Sequence, residues 1–442
     1  MKRRAATRLL AAVCSTVLLQ GVAVPAHGFT MDARRLGMAN AHVTGSFELN
    51  NLNPAYQSMP KREGASQVVI PLPLGFMQVA NDFPTFDVND DNFSVTRIAN
   101  LALNPPFFLE LKEPNQVEGD IEVFVSRNEF AVSFEDAQAL LPQKPFDLGG
   151  VWSTPIAGLG IHKVRGYVSP VIYLEGELAF DDAMYGVLAG GEPLLPNSTY
   201  GLNATGETMV GMSYHFGLSS ALHADEHGNG IYAGAFVKYL LGFNMSRGES
   251  FLSMATADTI FGSGNPLHVG YESRLRYTRL GRVGHGVGVD AGIGYRSGSV
   301  DIGVGVRDLG SSVHWGRSIV ERAWWDDATN SLESEILETD ASYTQKLPTQ
   351  TTFNLAWTGG RTLLAADLTT SRLGTSLHFG AEQHFGLLAV RSGILTDRQG
   401  LQYAGGVGIG VERFWLDVGV QTHSRTITGE RGVTLGTSVA VR

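Results

Sequence analysis

The residues from His285 to Gly310 constrain the fold most, because apolar residues alternate there with small or charged ones along two consecutive stretches. Valine, alanine, isoleucine and tyrosine occupy the odd positions from 287 to 295, and aliphatic residues return at the even positions from 300 to 306. A period of two is that of a β-strand, and the Ser297-Gly298-Ser299 sequence between the stretches has turn chemistry. The segment therefore predicts a β-hairpin.

The second face of this hairpin carries glycines and opposed charges, namely Asp290, Arg296, Asp301 and Arg307. An aliphatic face opposite a small, charged face suits a strand that separates lipid from a crowded polar lumen. A single hairpin also fits a soluble sandwich whose polar face meets water. The same alternation recurs in successive candidate strands from 352 to 441, and this repetition favours the membrane. The sequence predicts an all-β fold, a transmembrane antiparallel β-barrel of about 14 strands, whose lumen the four charged residues face.

Composition supports one large barrel over several soluble domains. The chain has 442 residues, of which 54 are glycine and only 17% are charged. Glycine is useful where strands bend and where side chains inside a barrel must be small. A net charge of −10 argues against a nucleic-acid partner.

The first 28 residues have the organisation of a signal peptide. A basic start, Lys2 to Arg8, precedes an apolar run, Leu9 to Val24, and Ala26-His27-Gly28 resembles a cleavage site. We expect an exported chain that begins at Phe29. The sole cysteine, Cys14, lies within this peptide, so the remainder has no cysteine for a disulfide, a thiolate nucleophile or a metal site.

The remainder divides into an N-terminal segment, residues 29–62, which does not alternate, and a barrel, residues 63–442. The barrel is expected to carry two long loops, at about 82–150 and 318–344. The second is acidic and contains Trp324-Trp325. Short alternating runs occur inside the first, at Ile121 to Ser126 and Phe130 to Phe134.

The sequence has few features of an enzyme. It has no Gly-x-Ser-x-Gly elbow, phosphate loop or His-Glu-x-x-His motif. Ser376 and His378 share a strand face, a spacing that is common by chance. The acidic runs at 82–92 and 223–227 have ligand-type residues, but a hydrated loop explains both better. We therefore predict neither catalysis nor a cofactor nor a metal.

Two motifs in the N-terminal segment resemble the start of the FadL/PorV/TraF-like group of bacterial outer-membrane barrels. These are the run from Ala33 to Ala41, which contains Gly37-Met38, and the later Asn53-Pro54-Ala55. The group opens with Gly-Met-Gly-x-Ala, and here Ala39 stands at the second glycine. The resemblance continues in the hairpin and in the later Leu347-Pro348. It implies that the N-terminal segment is a hatch inside the barrel, with Gly37, Met38, Asn53, Pro54 and Ala55 as its residues.

The resemblance implies a channel in the outer membrane of a Gram-negative bacterium. Its partners would be outer-membrane lipid and a hydrophobic small molecule, similar to a long-chain fatty acid, that enters passively when the hatch is displaced. The alternative is a PorV/TraF-like barrel that serves as a partner in secretion, conjugation or surface assembly without transport. The repeated aliphatic face disfavours a third possibility, a soluble periplasmic binding protein. The charged lumen residues are expected to brace the wall or the hatch.

Overall fold

The computed structural model describes residues 32–41, 52–62, 68–71, 108–110, 121–125, 130–134, 146–153, 157–161, 163–188, 195–257, 267–279, 281–326, 328–329, 331–397, 400–411, 413–423 and 432–441. The predicted signal peptide and the acidic run at 82–92 lie outside these ranges. Helices within them are short: α1 (Ala33–Leu36), a 3₁₀ turn (Pro54–Gln57) and α2 (Asp182–Leu188). None of the helices in the described ranges has the length and apolarity to cross a membrane.

Strands account for most of the described chain. They are β1 (Val68–Pro71), β2 (Phe108–Glu110), β3 (Ile121–Val125), β4 (Phe130–Phe134), β5 (Phe146–Ser153), β6 (Ala157–Ile161), β7 (Val164–Phe180), β8 (Thr199–Ala224), β9 (Gly230–Thr256), β10 (Leu267–Tyr277), β11 (Gly284–Ser297), β12 (Val300–Asp326), β13 (Ser331–Lys346), β14 (Gln350–Gly359), β15 (Thr362–Ser371), β16 (Gly374–Phe385), β17 (Leu388–Asp397), β18 (Gly400–Val411), β19 (Phe414–His423) and β20 (Gly432–Val441).

Eighteen of these strand segments form one antiparallel sheet, and β3 pairs separately with β4. Four pairs of segments lie end to end along one neighbour: β5 and β6 along β7, β10 and β11 along β9, β13 and β14 along β12, and β1 and β2 along β20. When each such pair is counted as one strand, the described sheet has 14 strands. The predicted all-β barrel of about 14 strands is confirmed.

Alternation along each strand separates an outer face from an inner one. On β11, Val287 and Ile293 are 61% and 58% exposed, whereas Asp290 is fully buried. Exposed apolar residues form a band that runs on β9 from Ile231 to Phe243. Twelve residue steps on a strand tilted by about 40° span about 30 Å, close to the height of the lipid-facing band of an outer-membrane barrel. We take this band as the membrane-spanning part.

The barrel is much taller on one side than on the other. β8, β9 and β12 have 26 or 27 residues, whereas β14 to β20 have 10 to 12. The shorter strands fit the bilayer length of about 9 to 11 residues. The tall side therefore projects well beyond the band. We call this projection the extension; it comprises residues 199–209, 246–256, 267–277, 316–326 and 331–346.

The expected loop at 318–344 is wrong. β12 continues to Asp326 and β13 begins at Ser331, with Trp324 opposite Glu333 and Trp325 opposite Leu332. Residues 318–344 have the acidic composition of a solvated loop because much of this segment meets water. Seven consecutive residues of β13, 334–340, are exposed, so both faces of the strand are solvated. The expected loop at 82–150 is partly strand, since β2, β3, β4 and the start of β5 fall inside it.

Candidate functional site in the barrel lumen

Residues 52–62 lie against the inner face of the tall side. Asn53 has an extended backbone, and its side-chain oxygen accepts from the Ala55 amide at 3.0 Å, which fixes the 3₁₀ turn at Pro54. The Asn53 amide nitrogen donates to the carbonyl of Ile293 in β11 at 3.1 Å. Ser219 of β8 donates to the Pro54 carbonyl at 2.9 Å. The Asn-Pro-Ala motif thus shapes its own turn and attaches that turn to the wall.

Glycines make room for this segment on the wall. A Cβ atom at Gly303 would lie 2.0 Å from the Tyr56 hydroxyl, and one at Gly305 would lie 2.2 Å from the Leu52 carbonyl oxygen. Gly292 and Gly234 face Asn53 and Pro54 at similar distances, 2.1 and 2.5 Å. Such distances are too short for any real Cβ contact. The glycine-rich inner face is therefore the surface on which residues 52–62 are seated.

The end of this segment is held by charge. Arg62 donates two hydrogen bonds to the Asp301 carboxylate, at 2.8 and 2.7 Å. Arg296 donates to the same carboxylate at 2.6 and 2.9 Å and to the Pro60 carbonyl at 2.5 Å. Asp301 is 1% exposed. Two arginines that share one buried carboxylate fix the segment to β11 and β12.

Residues 32–41 are seated on the short side in the same manner. The Gly37 backbone approaches that of Gly406 on β18, and Met38, fully buried, packs against Gly380 and Gly393. Asp32 caps α1 by accepting from the Arg34 amide at 2.9 Å. This segment and residues 52–62 together cover the inner glycine face. We call them the plug.

A chain of buried charges attaches the plug to the short side. Arg34 donates to Glu382 at 2.8 Å, Arg391 donates to the same carboxylate at 2.6 Å, and Arg391 also donates to Asp417 at 2.7 Å. His384 completes the set at 2.8 Å from Glu382. Sequence reasoning missed these residues; the signal was present, since Glu382, Arg391 and Asp417 all occupy inner positions on β16, β17 and β19.

A second charged cluster lies deeper in the tall side. Lys238 contacts Asp290 and Asp308, each at 2.7 Å, and His215 lies 3.3 Å from Asp290. Asp308 has a positive φ of 56° at a point where the pairing of β11 with β12 shifts register. Arg307 lines a small cavity next to this cluster, with Ser213 and Leu240. Opposite charges are thus nearly balanced within the wall.

An apolar layer lies between this cluster and the extension. Its buried members are Val171, Tyr173, Met209, Leu240, Met245, Val313, Trp315 and Leu347. Trp315 is 1% exposed, and glycines 242 and 284 leave the space its ring occupies, since a Cβ there would lie 2.3 or 2.6 Å from the ring. Side chains from β7, β8, β9 and β12 therefore pack together inside the tall side at this level.

Polar contacts bridge the barrel above the apolar layer. Arg372, in the turn between β15 and β16, donates to Glu175 of β7 at 2.8 Å and to the Tyr173 hydroxyl at 2.7 Å. β7 and β15 are far apart in the sheet order, so this contact crosses the lumen. Nearby, Tyr343 donates to Glu207 at 2.9 Å, and burial raises the pKa of that carboxyl above its ordinary value. We call the Arg372 contact the mouth bridge.

The structure places all nine residues singled out from the sequence on the inner side. The five hatch residues are buried, and Asp290, Arg296, Asp301 and Arg307 are at most 6% exposed. Ser376 and His378 also lie there: the serine is 2.9 Å from the His378 Nε2 atom, and Nδ1 is 2.8 Å from the Ala39 carbonyl. This pair contacts the plug. The described residues contain no group of three or more His, Cys, Asp or Glu arranged to hold a metal.

Comparison with known proteins gives only distant likenesses. No protein-family model matches the chain, and no curated protein matches it in sequence. The Ralstonia pickettii toluene transporter TbuX aligns at 11% identity and a TM-score of 0.31, covering 69% of this chain and 90% of that one. A mutant of the monoaromatic hydrocarbon channel TodX aligns at 10% and 0.27, with the same coverage of 69% and 90%. A triple mutant of the Rhodopseudomonas blastica porin aligns at 10% and 0.20, covering 53% and 99%.

Proposed function

We propose that this chain is a plugged barrel of the bacterial outer membrane through which hydrophobic small molecules, similar to long-chain fatty acids, diffuse passively. The observation that carries the proposal is the seating of residues 32–41 and 52–62 on an inner face of glycines. A barrel that is only a scaffold has no need of a separate chain segment fitted so closely inside it. A barrel that must open does need a part that can move.

The order of layers suggests a route. A ligand that enters from the extension meets the mouth bridge first, then the apolar layer around Trp315, then the Lys238 cluster, and finally the plug. Contact with the apolar layer removes the surface of a hydrophobic molecule from water, which favours its binding there. The plug is the last obstacle, and hydrogen bonds and ion pairs hold it against the inner face of the wall. Displacement of the plug therefore opens the route without an energy source.

The outer face supports a location in the membrane. Exposed apolar side chains lie along the outer face of the described sheet from β6 to β19, and Tyr295, Trp357, Phe385 and Phe414 are among them near the short-turn end. Aromatic residues at the border of an apolar band are typical of membrane barrels. The signal peptide predicted from the sequence fits export to the outer membrane.

The decisive experiment loosens the plug and leaves the wall intact. Gly303→Ala and Gly305→Ala would each drive a methyl group into residues 52–56, whereas Gly316→Ala on the same strand meets nothing within 4 Å and is the control. Each protein is reconstituted in liposomes that enclose a fluorescent fatty-acid reporter. We expect faster entry of oleate with the double variant Gly303→Ala/Gly305→Ala than with the wild type, and no change with Gly316→Ala.

The result is interpreted together with a test of folding. Heat-modifiable gel mobility reports whether each variant still forms a barrel. A folded double variant that admits oleate no faster than the wild type contradicts the channel proposal. Faster entry of a hydrophilic sugar with no change for oleate would point to a general pore instead.

A second function, a barrel that serves as a partner in secretion or surface assembly without transport, is favoured by a different observation. The extension rises far above the band, although passage of a small molecule needs no such height. Absence of permeation in every plug variant, combined with capture of a partner by the extension, would support this alternative.

A further inference from the structure

The outer edge of β13 has no partner strand among the described residues. β13 pairs with β12 on one side only, whereas β14, which continues below it, pairs with both β12 and β15. β15 ends at Ser371, opposite the first residues of β14, so the wall on this side stops at the base of β13. A long strand edge with free backbone groups is a template for pairing with another chain.

The side chains of β13, like its outer edge, are exposed to solvent. Residues 334–340 are all exposed, and they include Ile336 at 53% and Leu337 at 43%. Natural proteins blunt such edges with a bulge, a proline or a short strand. The described part of β13 has 16 residues and no proline, and its pairing with β12 shifts register between Ala341 and Glu338 and between Glu338 and Ile336, so this edge is long but irregular.

Charge decides what the edge can accept. Glu335, Glu338 and Asp340 lie in the exposed part of the strand, and the half-buried Glu333 next to it accepts a hydrogen bond from Ser331 at 2.7 Å. The arginine contacts of Glu335 and Asp340 are long and exposed, 3.9 Å from Arg322 and 3.8 Å from Arg317, so these two carboxylates remain available. The edge therefore combines free backbone groups, two apolar side chains and negative charge.

A second copy of this chain does not fit. Antiparallel pairing of two β13 edges, centred between Ile336 and Leu337, sets Glu335 opposite Glu338 and Glu333 opposite Asp340. Like charges directly opposite each other destabilise a strand pair. A strand with lysine or arginine opposite these four acidic residues, and with apolar residues at its centre, would replace each repulsion by an attraction.

We propose that the β13 edge binds an extended, basic segment of a partner protein, which adds a strand to the extension. Backbone hydrogen bonds would supply affinity, and the carboxylates would select basic residues. The proposal is independent of permeation. It assigns the extension a role that a channel for small molecules does not require.

A synthetic peptide tests it. An eight-residue peptide with lysine at positions one, three, six and eight, threonine at two and seven, and valine at four and five matches the charge pattern in either orientation. It is labelled and titrated against the full-length protein in detergent, and hydrogen exchange is followed by mass spectrometry. We expect saturable binding that weakens with salt, and slower exchange confined to residues 331–341.

Controls separate strand pairing from charge alone. A peptide with proline in place of the first valine keeps the charge but cannot form a regular strand, and a peptide with glutamate in place of lysine keeps the strand but reverses the charge. Both should bind at least tenfold more weakly. The Glu335→Lys/Glu338→Lys variant should lose binding to a similar degree, whereas Glu226→Lys, in the exposed turn at the other end of the barrel, should retain it.

The outcomes are unambiguous. Equal binding of the proline peptide, unchanged binding to the Glu335→Lys/Glu338→Lys variant, absence of any binding, or protection outside β13 would each overturn the proposal. Heat-modifiable mobility of the variants confirms that the barrel is intact in each case.

Discussion

Arg34 of the plug donates through its Nε atom to the Glu382 carboxylate of the wall at 2.8 Å, and their side chains are only 6% and 1% exposed. Arg391 donates to the same carboxylate at 2.6 Å and also to Asp417. Glu382 is therefore shared between a plug arginine and a wall arginine. Removal of either partner of a buried pair leaves a charge that has lost its neighbour, so the shared carboxylate is the sensitive member.

Glu382→Gln should lower the free energy of unfolding by about 3 to 5 kcal/mol, because it leaves two buried arginines beside each other. Arg34→Met should have a smaller effect, since Arg391 still neutralises Glu382. The temperature at which the heat-modifiable gel band shifts measures both. Equal effects of the two substitutions would mean that the carboxylate is not shared in the way the distances indicate.

The plug has a positive φ at the residue that departs from the FadL-like motif. Ala39 stands where the resemblance leads us to expect glycine, and its φ is 54°; the next residue, Asn40, has a φ of 63°. A positive φ brings the Cβ of an L-residue close to its own carbonyl oxygen and is unfavourable by roughly 1 to 2 kcal/mol for residues other than glycine and asparagine. The position requires a glycine-like conformation even though it holds alanine.

Ala39→Gly should therefore leave the free energy of unfolding within about 1 kcal/mol of the wild-type value, since relief of strain offsets the loss of a buried methyl group and the entropy that glycine adds to the unfolded chain. Ala41→Gly is the matched control: Ala41 is fully buried in the same segment, with no positive φ, and packs with Met38. It should lower the free energy of unfolding by about 1 to 2 kcal/mol, since no relief of strain offsets the same losses. An increase in stability with both substitutions would indicate an effect other than backbone strain.

The sequence predicted what depends on local pattern. Alternation at Val287 and Ile293 is a property of each strand alone, so the outer and inner faces and the number of strands followed from it. The Asn53-Pro54 turn was also predictable, because its side chain bonds to its own backbone. Both features need no knowledge of which strands are neighbours.

Contacts between distant segments could not be predicted. Arg34 and Glu382 are 348 residues apart, and nothing in the periodicity brings them together. β13 was mistaken for a loop because the exposure of both faces removes the alternation on which a strand is recognised. The acidic composition of residues 334–340 reflects their exposure to water and does not indicate their backbone conformation.

Arg372→Ala should leave stability almost unchanged, with a loss under about 1 kcal/mol, because the Arg372 and Glu175 side chains are 48% and 36% exposed. In the Gly303→Ala/Gly305→Ala background, however, it should increase oleate entry further, since it removes the mouth bridge across the lumen. Arg317→Ala, which removes an exposed arginine from a 3.8 Å contact with Asp340, is the control. Identical permeation with and without Arg372 would show that the mouth bridge does not limit passage.

Glu207 should make the stability of the extension depend on pH. Burial raises the pKa of its carboxyl in the folded protein, so its contribution favours folding most below the pKa of the unfolded chain and is lost as pH rises through the folded pKa. Glu207→Gln keeps an acceptor for the Tyr343 hydroxyl, which lies 2.9 Å from the carboxylate, but removes the charge. The substitution should therefore raise the unfolding temperature at pH 7 and have little effect at pH 4. Thermal unfolding followed by tryptophan fluorescence at the two pH values measures this difference, and a loss of stability at pH 7 would mean that the ionised carboxylate is needed by Arg247 and Tyr343.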